Sequence, residues 1–381
     1  MQNFCSENSM VNFDNAATTF PKPESVYLAA AEAQRRYGGN PGRSGHRLSV
    51  ETSDKIYETR AAAAEMFGAQ PENVAFTLNC TYALNMAVKG ILCKKSRAVI
   101  SDLEHNAVAR PVFARCGARN MGIVHIAESD CDTLKSLARK LTPETKAVVM
   151  TLGSNITGQI TPFRKIGKLC AERRIPFIAD GAQAAGIIPI SIGDDGINFL
   201  CLPGHKGLYG PAGTGLLISD GRYKLRTVIE GGTGSSSLDL TQPDYMPDML
   251  ESGTVNTSGI IALGAGIEYV KSRGLSDIYA HEKSLCDRFI NGIADNPKVK
   301  IYRKKGVSYL PIVLFNIGSG DSADVAGKLS DSGFCLRGGI HCAGIAHKTI
   351  GTEKTGAVRF SPGAFNTVKE VDALIKAVNE I

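Results

Sequence analysis

No stretch of the 381 residues holds the roughly 18 consecutive apolar positions that cross a bilayer, so no membrane-spanning helix is expected. The first twelve residues are polar and lack the basic start and apolar core of a secretory signal, which points to a cytoplasmic protein. Blocks of like charge are missing too. Forty-three Lys+Arg against 37 Asp+Glu leave +6 spread along the chain, too thin an excess to argue for nucleic acid or an acidic membrane as partner. None of the ten cysteines falls in a CxxC pair, which removes ribbon-type zinc sites and thioredoxin-type motifs, and the thiols read as reduced. His281 and His347 have no partners at metal-ligand spacing, so no metal site is expected. No repeat or low-complexity tract is visible.

What is present is an ordinary globular composition, 43% apolar and 21% charged, enough for a sizeable core. At roughly 150 residues per domain, the length suggests one large domain and a smaller one. Short β-branched segments at 74–78, 98–101, 122–127, 147–152, 176–179, 198–202 and 215–219 read as strands, and helical patterns such as 82–92 and 163–174 lie between several of them. That alternation implies crossover units and an α/β fold with a mainly parallel sheet covered on both faces. After the Gly/Ser-rich stretch 231–237 the pattern changes. A helix is expected at 258–272, strands at 299–303, 310–317 and 358–361, and helices at 323–330 and 368–381.

Three segments carry candidate chemistry. In 198–217, NFLCLPGHKGLYGPAGTGLL, Lys206 follows a strand inside a Gly/Pro-rich turn. It is either a loop lysine among glycines or an amine set to form a Schiff base with an aldehyde cofactor. Asp180, in Ile178-Ala179-Asp180-Gly181-Ala182-Gln183, ends a buried strand where the carboxyl edge of a parallel sheet forms the ligand crevice. Buried there it needs a partner: a protonated ring nitrogen, a metal or a helix N-terminus. Thr77-Leu78-Asn79-Cys80-Thr81-Tyr82-Ala83 runs from strand into helix and reads as a phosphate site or as a plain N-cap.

Together these segments resemble the class V aminotransferase family of fold-type I pyridoxal-phosphate (PLP) enzymes, over nearly the whole chain from Asn12-Phe13-Asp14-Asn15-Ala16-Ala17-Thr18-Thr19 to Arg359-Phe360-Ser361-Pro362-Gly363. Within it, Arg337-Gly338-Gly339-Ile340-His341-Cys342-Ala343 is similar to the Arg-x-Gly-His-His-Cys-Ala loop of the SufS-like cysteine desulfurases and selenocysteine lyases. The resemblance implies a large PLP-binding domain at 21–257, and a small α+β domain of 1–20 and 258–381 that carries the Cys342 loop and Arg359. It implies Lys206 as the Schiff-base lysine, Asp180 as partner of the pyridinium nitrogen, Gln183 as donor to the cofactor phenolate and His105 as the stacked ring. Thr81 with its neighbour Cys80, His205 and, reaching across a homodimer, Thr254 would form the phosphate cup. Asn155 would sit beside the phenolate and the substrate carboxylate, and Arg359 would grip that carboxylate. Arg337 would belong to the substrate loop. His46 is a substrate-mouth candidate or a solvated loop residue.

The reaction so implied converts L-cysteine to L-alanine, Cys342 taking the sulfur as a persulfide for a sulfur-acceptor protein or small thiol, as in iron–sulfur cluster assembly. Lys206 would move the Cα proton, and His341 or His105 would help form the Cys342 thiolate. Selenocysteine lyase, or a class V aminotransferase that does not use Cys342, are the alternatives. The chain departs from the family pattern at Pro203, where a serine is common, at Cys80, where a threonine is frequent, and at Ile340, which replaces the first histidine of the loop. His125 reads as a satisfied core or edge histidine, and Cys5, Cys93, Cys116, Cys131, Cys170, Cys201, Cys286 and Cys335 read as packing residues.

Overall fold

The computed structural model describes residues 10–42 and 44–381; the expectation for Cys5 lies outside them. In chain order the strands are β1 (Val11–Asn12), β2 (Val74–Thr77), β3 (Arg97–Ser101), β4 (Met121–Val124), β5 (Thr145–Thr151), β6 (Phe177–Asp180), β7 (Phe199–Pro203), β8 (Gly215–Ser219), β9 (Val299–Ile301), β10 (Val313–Ile317), β11 (Phe334–Cys335) and β12 (Val358–Phe360). β2 to β8 form one sheet in the order β2-β8-β7-β6-β5-β3-β4. Within it only β8 runs antiparallel to its neighbours. The expected α/β class with a mainly parallel sheet is what the chain adopts.

Side chains of these strands alternate between two apolar layers. Val148, Met150, Phe177, Ala179, Leu200 and Leu202 enter one core, while Ala147, Val149, Ile178, Phe199 and Cys201 enter the other. Burial on both faces is why the strands read as unbroken apolar runs. β9, β10 and β12 form an antiparallel sheet in the order β12-β10-β9, and β1 pairs in parallel with β11. Phe13, Phe289, Phe315 and Phe360 pack between these smaller sheets and the helices Leu275–Ile293 and Val368–Glu380.

Several strands are shorter than the sequence suggests, β9 ending at Ile301 among them, and for two the cause is visible. β4 stops at Val124 because Asp102 takes over: its Oδ1 accepts from Ile126 N at 3.0 Å and its Oδ2 meets His125 Nδ1 at 2.5 Å. β10 starts at Val313, since Pro311 offers no N–H to a ladder. Leu310 N bonds Gly158 O instead.

The chain leaves β3 for the sheet edge at β4, then returns to β5 and proceeds the other way to β6 and β7. The reversal between β3 and β5 is a topological switch point, where crossover connections diverge and open a crevice at the carboxyl ends of the strands.

Candidate active site

β7 is buried throughout and ends at Pro203, delivering Lys206 to the crevice in the next turn. A Cβ on Gly204 would stand 2.1 Å from Thr214 Oγ1, and one on Gly207 2.2 Å from Ala185 O. Only glycine lets this turn lie so close to its neighbours. Four donors converge on the carbonyl of His205: Thr19 N at 3.1 Å, Thr18 Oγ1 at 3.1 Å, Thr19 Oγ1 at 3.2 Å and Lys22 Nζ at 2.9 Å. The amino-terminal segment thus pins the peptide that precedes Lys206. Burial, reinforced by the nearby Arg359 charge and opposed by Asp180, brings the Lys206 amine down to about 8. Burial with the Lys206 and Lys22 charges brings His205 down to about 4, so its ring is neutral near pH 7 and offers an N–H rather than a charge.

Asp180 ends β6 almost fully buried; its Oδ1 accepts from Ala182 N at 2.9 Å and lies 3.5 Å from Cys80 Sγ. Neither partner is a cation. Burial and the Asp180 charge push the Cys80 thiol well up, keeping it a neutral donor. The helix Cys80–Ile91 is capped by Asn79, whose side chain accepts from Tyr82 N at 3.0 Å. The N-cap reading of this segment is therefore correct, and it is compatible with anion binding, because the first helical N–H groups still lack intrahelical partners.

Beyond β3, His105 caps the helix Asn106–Asn120 by accepting from Ala107 N on Nδ1 at 3.0 Å, which places the proton of the neutral ring on Nε2. Burial lowers its pKa, against the pull of Asp180. Glu104, fully buried, accepts from Ser101 N, Ser101 Oγ and Thr151 N and so ties β3 to β5 at the switch point.

From the small sheet, β12 carries Arg359, almost fully buried. Its Nη2 meets Asp14 Oδ1 at 2.5 Å, its Nη1 donates to Asn155 O at 2.8 Å, and its Nε has no partner among the described residues. Asn155 Nδ2 donates to His341 O at 2.9 Å, which leaves Asn155 Oδ1 buried and unpaired. Gln183 spends one N–H on Ala16 O at 3.0 Å.

A single cavity is lined by Cys80, Thr81, His105, Asn155, Asp180, Gln183, His205, Lys206, Arg337 and Arg359, bringing together ten of the thirteen expected site residues. Pro203 lines it where the family commonly has serine. The other three lie elsewhere. Cys342 follows the lining residue His341 on an exposed turn, its Sγ 4.0 Å from Arg337 Nη2. His46 caps the helix Arg47–Phe67 by accepting from Ser49 N, and Thr254 is exposed.

His341 and Cys342 both take left-handed backbone conformations, φ 52° and 56°, each costing on the order of 1 kcal/mol without glycine. Of the two histidines expected to help form the thiolate, His341 or His105, the geometry disfavours the first. The His341 ring is buried with Nε2 on Arg337 O at 2.9 Å and Nδ1 on His347 Nε2 at 3.3 Å, so neither nitrogen is open to the Cys342 thiol. Among the cysteines read as packing residues, Cys93 and Cys131 are exposed. Asp14, Lys22, Glu104 and His347 are not among the expected site residues; Asp14 lies inside the quoted amino-terminal motif and Lys22 just beyond it, but nothing in their local sequence marks them. Among the described residues no helix is long and apolar enough to cross a membrane, and no group of three or more His, Cys, Asp or Glu gathers as a metal site.

The family model for aminotransferase class-V matches residues 11–374. A probable cysteine desulfurase from Methanothermobacter thermautotrophicus is 30% identical over 379 residues, covering 96% of this chain and 94% of that protein. One from Pyrococcus abyssi is 30% identical, covering 98% and 94%. The apo structure of a cysteine desulfurase from Thermococcus onnurineus NA1 superposes with a TM-score of 0.88 at 28% identity, covering 97% of this chain and 94% of that one. With the lysine, the buried carboxylate and the arginine meeting at the switch point, these likenesses show that the chain belongs to the class V aminotransferase family.

Proposed function

We propose that the chain is a PLP-dependent cysteine desulfurase that converts L-cysteine to L-alanine and stores the sulfur as a persulfide on Cys342. The observation that carries this reading is the shared cavity of Lys206, Asp180, His105 and Arg359, with Cys342 on the loop whose Arg337 and His341 line the same cavity. The donor set fits PLP. A buried amine of lowered pKa faces a buried carboxylate that has no cationic partner of its own, and a capped helix start with Thr81 and the neutral His205 offers donors to a phosphate. PLP so held supplies an electron sink for charge that develops at the substrate Cα.

The residues of the chain do the rest. Lys206 would hold the cofactor and, when released from it, would move the Cα proton, since a free amine with a pKa of about 8 both gives and takes a proton near neutral pH. Asp180 is the carboxylate that would keep positive charge on the ring of a bound cofactor. Arg359 binds the α-carboxylate, and the unpaired Nε and Asn155 Oδ1 are the buried groups that a bound zwitterion satisfies. Cys342 attacks the substrate sulfur as the thiolate. The new S–S bond forms as the C–S bond breaks, the bonding electrons stay with the carbon fragment, and two protons complete alanine. The persulfide is then passed to a sulfur-acceptor protein or small thiol.

The 21–257 and 1–20 plus 258–381 division, and a homodimer in which Thr254 completes the neighbouring phosphate cup, belong to the same reading. Incubation with L-cysteine tests it: alanine and sulfide form in equal amounts with a reductant, and without one mass spectrometry finds added sulfur on Cys342. Full turnover in Cys342→Ala overturns the assignment of the nucleophile and leaves a selenocysteine lyase or an aminotransferase. Relative turnover of L-cysteine and L-selenocysteine separates the cysteine desulfurase from the selenocysteine lyase.

A further inference from the structure

We propose that His347, which lies outside the cavity, is a positioning residue for Cys342: through His341 it locks the left-handed turn that presents the thiol. This deepens the desulfurase reading and rests on it for the role of Cys342, though the geometry stands without it.

Two consecutive non-glycine residues in left-handed conformation need to be held from outside. The backbone supplies part of the hold. Asn155 Nδ2 donates to His341 O at 2.9 Å, Asn106 N donates to Cys342 O at 2.7 Å, and Ala343 N closes back on Ile340 O at 3.0 Å. The rest is a buried chain of side chains whose proton arrangement can be worked out from one end. Arg337 O only accepts, so the His341 ring carries its proton on Nε2, at 2.9 Å. His341 Nδ1 is then a bare acceptor, and His347 Nε2, 3.3 Å away, must be the donor. His347 Nδ1 is left as an acceptor, and Thr352 Oγ1 donates to it at 2.7 Å. Every bond is satisfied in one arrangement with both rings neutral.

The two rings stack with centroids 5.6 Å apart and planes 7° from parallel, and both are buried. The chain's far end is equally fixed. Gly351, at φ 73°, ends the helix Gly344–Ile350, and Thr352 N returns to His347 O at 2.9 Å, setting the hydroxyl beside the ring. A helix on one side of the turn and a strand-side carbonyl on the other are thus joined through the ring of the residue adjoining Cys342. His347 and Thr352 do not line the cavity, whereas His341 and Arg337 do, so His347 acts on the chemistry through the placement of these neighbours and of the turn.

The test compares His347→Leu, which removes donor and acceptor, with His347→Gln, whose amide N–H replaces the Nε2 donor. Amide hydrogen exchange of residues 339–343 is measured in the resting protein, beside kcat and KM for alanine formation from L-cysteine. His347→Leu should speed exchange in 339–343 by about tenfold, the effect of orphaning a buried acceptor. It should lower kcat by about ten- to a hundredfold through misplacement of the thiol, with KM within about twofold because Arg359 is untouched. His347→Gln should stay within about threefold of the parent in both readouts.

Should His347→Leu fail to fold, Thr352→Val decides by the same exchange measurement, because it removes only the terminal donor. Exchange in 339–343 that stays within about twofold of the parent in the folded variant overturns the proposal. Absence of alanine formation in the parent would overturn the desulfurase reading instead, while the exchange result would still decide this one.

Discussion

Arg359 Nη2 meets Asp14 Oδ1 at 2.5 Å, so the guanidinium assigned to a substrate carboxylate already holds a carboxylate of the chain itself. Removing that partner leaves a nearly fully buried cation uncompensated. Asp14→Asn should therefore lose about 3 kcal/mol of stability in urea unfolding. Added L-cysteine should restore more stability to the variant than it adds to the parent, because its carboxylate replaces the missing charge. Equal stabilisation of the two proteins would show that Arg359 does not receive the substrate.

Lys206 is costly to bury as a cation. Its folded pKa of about 8 lies below the usual 10.5, so the cost is fully present below pH 8, where folded and unfolded chains are both protonated. It is relieved as pH rises from 8 towards 10.5, where only the unfolded chain keeps the proton. Without cofactor, Lys206→Met should be more stable than the parent by roughly 2–3 kcal/mol at pH 7, and the gap should close by about pH 10. Borohydride trapping of PLP on Lys206 should rise with a midpoint near pH 8. A midpoint above 10 would contradict the burial argument.

Burial also sorts the cysteines. It pushes Cys170 up to about 12 and Cys80 and Cys201 well above the ordinary range, whereas Cys93, Cys131 and Cys342 are exposed. Brief iodoacetamide treatment at pH 8 should label Cys93, Cys131 and Cys342 and spare Cys80, Cys170, Cys201 and Cys286, as read by peptide mass spectrometry. Early labelling of Cys80 would mean that the floor of the cavity opens to solvent.

Lys22 is the charged member of the four donors on His205 O. Its own pKa is lowered to about 8 by burial, and its charge helps depress His205. In Lys22→Met the His205 ring should titrate above its present value of about 4, measurable by NMR of the ring protons. No movement would assign the depression wholly to burial and Lys206.

The residues legible in the sequence are those whose role follows from local position. Asp180 and Lys206 stand at ends of strands that the apolar runs delimit, and a strand end in a parallel sheet faces the crevice wherever the chain goes next. The helix start after Asn79 was legible for the same reason, whereas the cap formed by His105 was not. What could not be read depends on long-range meetings. Asp14 and Arg359 are joined by the pairing of the two ends of the chain. His347 reaches His341 only because the helix Gly344–Ile350 folds back on the turn before it, and a spacing test for metal ligands passes over that pair. β4 was overestimated because Asp102, a residue outside the strand, captures the backbone that would have extended it.

The pairing of β1 with β11 and of Asp14 with Arg359 has a consequence for the order of assembly. The crevice floor, Asp180 and Lys206, lies in the first 206 residues, but the amino-terminal segment that pins Lys206 is also committed, through Asp14, to a strand made more than 150 residues later. A chain halted before Arg359 would present a buried amine in a half-built crevice, without the wall proposed to bind an α-carboxylate. The crevice is closed last, when β11 and β12 meet the amino-terminal segment through β1 and Asp14.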